Sequence, residues 1–325
     1  MNPVIPSGHT GGGQMMPLIS IAGLSVRFPA HSECVRAVDT VDLEIASGDH
    51  IALIGESGCG KTVLGMAVMG LLPENARISG TIRYRERDLL RAEDVEMQRI
   101  RGKEIALIMQ NSANSLNPVV TVGSQVAEPI LIHGILPARA AYTEAVRLLE
   151  AMGFDLPERA AGRYPHEFSG GMRERILVAI ALACQPDIVI ADEPTSGLDA
   201  QVKSQILHLV KKQMAERTLL LITHDMGTAH FLCTRIAVMY AGEIVEEGRA
   251  HDILSLPMHP YTQGLLSSLP SAGLHSIPGM SPSPAHLPGG CRFCSRCPSA
   301  TARCSTEHPL MSVRGSRRVR CFHYD

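Results

Sequence analysis

A Gly-rich loop between an apolar strand and a helix constrains this chain more than any other feature. Residues 55–62 have the sequence Gly-Glu-Ser-Gly-Cys-Gly-Lys-Thr, which fits the pattern G-x-x-x-x-G-K-S/T. Residues 50–54 form a short apolar run typical of a buried strand, and residues 63–72 have helical spacing. Glycines in that context let backbone N–H groups converge on an anion at a helix N-terminus. The sequence therefore predicts a phosphate-binding loop rather than an ordinary Gly-rich turn.

A second apolar strand that ends in two carboxylates supplies the other half of such a site. Residues 188–191 are apolar, and Asp192 and Glu193 follow directly. We predict that Asp192 and the Thr62 hydroxyl hold Mg²⁺ and that Lys61 contacts the β and γ phosphates. Glu193 is predicted to be the general base for the attacking water. The loop residues predicted to bind the phosphates are Gly55, Glu56, Ser57, Gly58, Cys59, Gly60, Lys61 and Thr62.

Length, charge and apolar runs exclude several other classes of protein. The 325 residues predict about two domains at ~150 residues each. A net charge of −2 with 4 % aromatic residues argues against a nucleic-acid partner. The apolar run at residues 176–184 is far shorter than the ~20 residues that cross a bilayer, so a membrane role would need a partner. Residues 1–17 are rich in Gly and Pro and lack a signal-peptide core, and we expect them to be disordered.

The order of apolar periodicities predicts an α/β fold. Alternating strands are expected at residues 18–28 and 37–45, and a helix-rich insertion at residues 111–168. Strands and helices then alternate, which predicts a mainly parallel sheet. The expected elements of that part are a helix to residue 183, a strand at 188–191, a helix at 202–216, a strand at 219–223, and strands at 236–240 and 243–246.

Six motifs in order resemble those of ATP-binding cassette (ABC) ATPases. After the phosphate loop come Gln110, then Phe-Ser-Gly-Gly-Met at residues 168–172, then Asp192-Glu193, then Ser-Gly-Leu-Asp at residues 196–199, then His224. The resemblance covers residues 18–269. It implies a P-loop NTPase core with an antiparallel β subdomain, a helical subdomain at about residues 111–168, and ATP with Mg²⁺ as ligands.

The same resemblance assigns roles to the other motif residues. Gln110 resembles the glutamine that senses the γ-phosphate, contacts Mg²⁺ and couples to membrane subunits. His224 resembles the switch histidine, which acts in catalysis with Glu193, and Asp199 resembles the aspartate at the interface between cassettes. The signature residues, which resemble those that contact the nucleotide of the opposite cassette, are Ser169, Gly170 and Gly171.

One departure from the common pattern narrows the resemblance. Met172 stands where most cassettes have Gln, and together with His-Pro-Tyr-Thr at residues 259–262 it is similar to one of the two unlike ATPases of oligopeptide, dipeptide and nickel importers. That resemblance implies a heterodimer with a second ATPase, two permease subunits, an extracytoplasmic binding protein, and a peripheral position on the cytoplasmic face of the membrane. It leaves the cargo open between peptides and nickel or other metal chelates.

Two alternative functions fit the sequence less well than an import ATPase. A non-transport ABC ATPase would usually have long coiled coils or two cassettes in one chain, and this sequence has neither. A metal- or redox-sensing regulator that only binds nucleotide would not need residues for hydrolysis, so the presence of Glu193 and His224 argues against it.

Five of the nine cysteines lie in the last 35 residues, after a Pro/Gly/Ser-rich linker at residues 270–290. Cys291, Cys297, Cys304 and Cys321 are spaced as in the C-terminal extension of that importer family, with Cys294 as an alternative ligand. Four thiolates in a short segment suit Zn²⁺ or a 4Fe–4S cluster, while free or structural thiols are the alternative. We expect residues 291–325 to form a small Cys-rich extension, and the basic residues 314–320 to be a solvated face.

Overall fold

The computed structural model describes residues 16–30, 33–109 and 115–325. Within these residues the chain forms two β-sheets and a set of helices. The strands are β1 (Ile19–Ala30), β2 (Glu33–Ile45), β3 (His50–Ile54), β4 (Arg77–Tyr84), β5 (Arg87–Asp88), β6 (Ile105–Ile108), β7 (Ile188–Asp192), β8 (Thr218–Thr223), β9 (Arg235–Tyr240), β10 (Glu243–Arg249), β11 (Ser312–Arg314) and β12 (Arg317–Val319).

The helices lie between these strands and after β10. They are α1 (Lys61–Met69), α2 (Asp94–Ile100), α3 (Val122–Ile132), α4 (Ala138–Ala151), α5 (Pro157–Ala161), α6 (Gly170–Leu182), α7 (Ala200–Met214), α8 (Met226–Leu232), α9 (Ala250–Ser255), α10 (Pro260–Ser267) and α11 (Ala302–Thr306). Among the described residues, we find no helix long and apolar enough to cross a membrane.

A four-stranded antiparallel sheet has the order β2-β1-β4-β5. Alternating apolar residues of β1, such as Ile19 and Ile21, face the core and are almost fully buried, as period-two spacing requires. Ile19 lies opposite Ile45 of β2 and Tyr84 of β4. The two strands expected from sequence are therefore present, and the sheet is completed by β4 and β5, which sequence reasoning did not identify.

An eight-stranded sheet has the order β11-β12-β10-β9-β3-β8-β7-β6. The five strands from β9 to β6 are parallel, whereas β10, β12 and β11 are antiparallel to their neighbours. The expected mainly parallel sheet is thus correct for the centre and wrong for the other edge. Ile51 and Leu53 of β3 belong to one core cluster and Ala52 and Ile54 to the other, so the sheet carries a core on each face.

The insertion expected to be helical contains α3, α4 and α5, which precede α6. Within it, α4 has Ala141, Ala145 and Leu149 on its buried face at i, i+4 spacing. Gln110 lies outside the described residues.

The C-terminal segment extends the large sheet, because β12 pairs antiparallel with β10. Arg317 bonds the buried carboxylate of Glu246 at 2.6 Å, and Arg318 bonds that of Glu247 at 2.5 Å. The prediction that residues 314–320 form a solvated face was wrong at these positions, because buried acidic partners lie on a strand about 70 residues earlier. The domain boundaries drawn from sequence remain predictions.

Candidate functional site

Three segments of the candidate site follow the carboxyl ends of adjacent parallel strands. β3 leads into the phosphate loop, β8 into His224, and β7 into Glu193. The strands are neighbours in the order β3-β8-β7, so their carboxyl ends meet at one edge of the sheet. This edge is where open α/β sheets bind their ligands.

The phosphate loop can be built only with glycine at critical positions. Gly60, the N-cap of α1, has φ 107°, a conformation that L-residues with a side chain rarely adopt. A Cβ atom at Gly60 would overlap the Ala37 carbonyl oxygen, and one at Gly55 would overlap that of Met239. At Gly55 and Gly60 the loop backbone therefore packs against neighbouring backbone with no room for a side chain.

Lys61 points back into the loop. Its ammonium donates hydrogen bonds to the carbonyl oxygens of Gly55 at 2.8 Å and Glu56 at 3.0 Å, and the residue is 8 % exposed. The buried Cys59 thiol lies 3.7 Å from the same nitrogen, and burial raises the pKa of Cys59. Lys61 thus places a positive charge within the loop, and Cys59 is a small neutral side chain there.

Thr62 and Asp192 meet at the base of the loop. The Thr62 hydroxyl donates to Asp192 Oδ2 at 2.6 Å. The second oxygen, Asp192 Oδ1, is buried and has no hydrogen-bond partner among the described residues. Burial raises the pKa of Asp192, while the Thr62 hydroxyl opposes that rise. An unpartnered buried carboxylate oxygen beside a hydroxyl is a donor set of hard oxygens, which fits Mg²⁺.

Glu193 is held beside this pair by the residues that follow β8. Its Oε1 accepts from the His224 backbone N–H at 2.8 Å and lies 2.5 Å from His224 Nδ1, while Oε2 accepts from the Thr223 hydroxyl at 3.2 Å. The Glu193 side chain is 12 % exposed and that of His224 is 63 % exposed. The carboxylate is therefore fixed by three donors, with its histidine partner open to solvent.

The signature residues lie at the N-terminus of α6. Ser169 is the N-cap, and its hydroxyl accepts from the Met172 N–H at 3.4 Å. A Cβ atom at Gly171 would overlap the Val202 side chain of α7, so this glycine lets α6 and α7 pack closely. Ser169 and Gly170 are exposed. The start of α6 at Ser169 and Gly170 is thus open to solvent, whereas Gly171 is buried against α7.

Asp199 caps α7 in the structure. Its Oδ1 accepts from the backbone N–H groups of Gln201 at 3.1 Å and Val202 at 3.0 Å, which is a standard N-cap arrangement. The residue is exposed, as an interface position requires. Its role toward a second cassette stays a prediction.

The cysteine segment lies close to the sheet but does not form a recognisable metal centre. The Cys291 N–H donates to the Cys304 carbonyl at 2.8 Å. All nine cysteines are free, and burial raises the pKa of Cys291 to about 12 and also raises those of Cys297 and Cys321.

No group of three or more His, Cys, Asp or Glu that could hold a metal occurs within residues 16–30, 33–109 and 115–325. The structure thus does not support the iron–sulfur or zinc site expected from Cys291, Cys297, Cys304 and Cys321, nor from Cys294.

Two residues that touch the phosphate loop were not identified as site residues from sequence. The Tyr261 hydroxyl accepts from the Glu56 N–H at 2.9 Å, and Arg296 pairs with the Glu56 carboxylate at 3.0 Å. Tyr261 lies in the Pro-Tyr-Thr motif after the core, which was noted only as part of the resemblance. No local pattern marks Arg296, because its partner lies 240 residues away.

Comparison with known proteins decides the family. A model described as ABC transporter matches residues 38–196, and one described as Oligopeptide/dipeptide transporter, C-terminal region, matches residues 245–304. The chain is 40 % identical over 321 residues to the oligopeptide transport ATP-binding protein AppD of Bacillus subtilis (strain 168), covering 96 % of this chain and 98 % of AppD. This chain belongs to the peptide-importer family of ABC transporter ATP-binding proteins.

Further relatives agree with this placement. The dipeptide transport ATP-binding protein DppD of Bacillus subtilis (strain 168) is 41 % identical over 321 residues, with 96 % of each chain covered. A solved dimeric structure of the ATP-binding cassette MJ0796 bound to ADP and Pi matches with a TM-score of 0.63 and 27 % identity, covering 71 % of this chain and 98 % of that one. The predicted ABC ATPase fold and the family resemblance are both confirmed.

Proposed function

We propose that this chain is the ATP-binding and ATP-hydrolysing subunit of an importer for dipeptides or oligopeptides. The observation that carries the proposal is the meeting of Thr62, Asp192 and Glu193 at the end of the phosphate loop, with Lys61 inside it. The C-terminal family match at residues 245–304 favours an importer over a non-transport ATPase or a metal- or redox-sensing regulator.

The residues of this site divide the work of ATP hydrolysis. When bound, Mg²⁺ neutralises charge on the phosphate oxygens, and Thr62 and Asp192 are the residues that would hold it. The backbone N–H groups of residues 55–62 and the Lys61 ammonium bind the β and γ phosphates. The Glu193 carboxylate accepts a proton from the attacking water, and His224 orients that carboxylate through the contact at Oε1.

We propose that a complete site needs a second cassette. Ser169 and Gly170 are exposed at the start of a 13-residue helix with Gly171 buried next to them, and a helix N-terminus attracts anions. A second ATPase, similar but not identical, would place its nucleotide there in a head-to-tail heterodimer, with Asp199 of each chain near the interface. Gln110 would couple the γ-phosphate to the membrane subunits.

The surface proposed to receive the permease subunits is on the helical insertion. The C-terminal end of α3 and the turn after it expose apolar side chains, and Ile132 lines a groove with Val95 of α2 among mostly charged side chains. Exposed apolar groups of this kind mark binding surfaces. The exposed apolar residues after Ile130 are Leu131, Ile132, Ile135 and Leu136. Docking there would place the chain peripherally on the cytoplasmic face, with an extracytoplasmic binding protein on the other side.

Uptake by the assembled transporter tests this function and its cargo. We expect vesicles that contain the permease subunits, both ATPases and the binding protein to accumulate a labelled dipeptide or oligopeptide only with Mg-ATP on the cytoplasmic side. The relatives named above are peptide transport proteins, so peptide is favoured over nickel chelate. Uptake of a nickel chelate without peptide uptake would contradict the proposal that the cargo is a peptide. Peptide uptake that does not need ATP would contradict the proposal that this chain drives import by ATP hydrolysis.

A further inference from the structure

A C-terminal turn lies directly against the phosphate loop. Residues Cys294–Arg296 form one turn of 3-10 helix, and the Arg296 guanidinium makes two hydrogen bonds to the Glu56 carboxylate, each 3.0 Å long. Arg296 Nη1 also donates to the Ser281 hydroxyl at 3.0 Å, and Nε donates to the Pro278 carbonyl at 3.0 Å. The Arg296 side chain is 5 % exposed and that of Glu56 is 29 % exposed, so this is a bidentate charge pair with a buried arginine.

The backbone of the same loop residue is held by a second group from beyond the core. The Glu56 N–H donates to the Tyr261 hydroxyl at 2.9 Å. The Tyr261 ring is fully buried, and it packs on Tyr240 at 4.5 Å and on Phe293 at 5.5 Å between ring centroids. Phe293 precedes the turn that carries Arg296, so ring packing connects the residue that holds the Glu56 backbone to the turn that holds its side chain.

Arg292, two residues before Cys294, contacts the phosphate loop indirectly, through the turn between β9 and β10. Arg292 Nη1 donates to the Ala241 carbonyl at 2.6 Å, and Nη2 pairs with Asp39 at 2.5 Å. The next residue of that turn, Gly242, donates its N–H to the Cys59 carbonyl at 3.0 Å. The C-terminal segment thus supports the loop at Glu56 directly and at Cys59 through residues 241–242.

The residue that Arg296 holds is also part of the Lys61 environment. The Glu56 carbonyl and the preceding Gly55 carbonyl both accept from the Lys61 ammonium. Burial acts to raise the pKa of Glu56, but the hydrogen bonds from Arg296 and Ser281 outweigh it and lower that pKa. Glu56 is therefore an anion that stays paired while the backbone around it forms the phosphate cradle.

We propose that Arg296 is a positioning residue for ATP binding: through Glu56 it fixes the first turn of the phosphate loop in the conformation that receives the phosphates. The inference rests on the ATP site proposed above. A loop fixed before the ligand arrives loses less conformational entropy on binding, so the contact acts on nucleotide affinity. Arg296 itself does not touch the reacting atoms.

Anchoring of the C-terminal segment alone does not require this contact. The pairing of β12 with β10 and the ion pairs of Arg317 and Arg318 already tie the segment to the sheet. Arg318 bonds Glu247 and the Asp42 carbonyl, neither of which belongs to the phosphate loop. Arg318→Gln is therefore a matched control, which removes an anchoring arginine and leaves the loop untouched.

A double-mutant cycle on the full-length chain tests the proposal. We expect Arg296→Gln and Glu56→Gln each to raise the Kd of Mg-ATP about tenfold, with the double variant no weaker than the weaker single variant, because both remove one interaction. Arg296→Lys keeps the cation but loses the bidentate geometry, so it should fall between Arg296→Gln and the parent. Arg318→Gln should bind Mg-ATP within about twofold of the parent chain.

Thermal unfolding of each variant identifies loss of fold. If Arg296→Gln does not fold, Arg296→Lys and Glu56→Gln complete the test, and Kd values for both within about twofold of the parent overturn the proposal. Purely additive effects of Arg296→Gln and Glu56→Gln, or an equal loss in Arg318→Gln, also overturn it. A parent chain that fails to bind Mg-ATP contradicts the proposed ATP site instead, which keeps the two failures distinct.

Discussion

Glu193→Gln exchanges one oxygen of the proposed general base for an amide nitrogen of the same size. The remaining carbonyl oxygen can still accept from the His224 N–H, now bonded to Glu193 Oε1 at 2.8 Å, so the side chain keeps its place. The residue is not part of the phosphate loop and makes no contact with Lys61 or Thr62 among the hydrogen bonds of the described residues. The substitution therefore removes proton acceptance and leaves the nucleotide contacts in place.

The expected loss follows from the role of a general base. A positioned general acid or base typically accelerates a reaction about 100- to 10,000-fold. At ~1.4 kcal/mol per tenfold in rate, this acceleration corresponds to about 3–5 kcal/mol of activation free energy. We expect kcat of the assembled transporter to fall by that factor, and the Kd of Mg-ATP to stay within about threefold, or ~0.7 kcal/mol. ATP that binds but is not hydrolysed should also hold the two cassettes together.

Phosphate release and equilibrium Mg-ATP binding, measured on the same preparation, check this prediction. Glu216→Gln is a matched control, because that carboxylate is exposed just beyond α7. A hydrolysis rate for Glu193→Gln close to that of the Glu216→Gln control would refute the assignment of Glu193. A parallel loss of binding and hydrolysis would instead show that the side chain holds nucleotide.

Three further outcomes are expected. Asp192→Asn should raise the Mg²⁺ concentration for half-maximal hydrolysis about tenfold in a Mg²⁺ titration, because it removes the charge of a carboxylate whose Oδ1 has no partner among the described residues, and an unchanged titration would contradict the Mg²⁺ role. Gly171→Ala should cost about 1–3 kcal/mol in urea unfolding because its Cβ overlaps Val202, and Val202→Ala in the same chain should recover most of that loss. Burial lowers the pKa of His259 to about 3, so the unfolded chain binds its proton first as pH falls. The contribution of neutral His259 to the free energy of unfolding should therefore be fully present above pH ~6.5, and below that pH it should fall by up to ~1.4 kcal/mol per pH unit. The urea midpoint of His259→Asn should decline less than that of the parent chain over the same pH range.

The phosphate site could be predicted from sequence because its signals are local. The Gly-Lys-Thr pattern fixes the loop at the start of α1, and the apolar run before Asp192 fixes a strand whose end must reach the same sheet edge. Thr62 and Asp192 are 130 residues apart, yet parallel pairing of core strands brings them to 2.6 Å. General rules of sheet topology are enough for that step.

The C-terminal contacts could not be predicted because they depend on how a distant segment docks. Arginines in a Pro-rich, cysteine-rich segment suggest solvent exposure, yet Arg292 and Arg296 are buried against acidic groups of the core. Their acidic partners, Asp39 and Glu56, lie 253 and 240 residues earlier in the chain, so no local pattern marks either pair. Spacing of Cys291 and Cys297 likewise predicts a metal site, but it carries no information on how the intervening backbone places the sulfur atoms.

Titration of the full-length chain with Mg-ATP tests the central claim most directly. The account predicts saturable binding of one nucleotide per chain, weakened about tenfold or more by Lys61→Ala, because the ammonium inside the loop is removed. Lys212→Ala, which removes an exposed ammonium on α7, should bind like the parent. Absence of saturable binding by the parent chain, or equal affinity of the Lys61→Ala variant, would contradict the account.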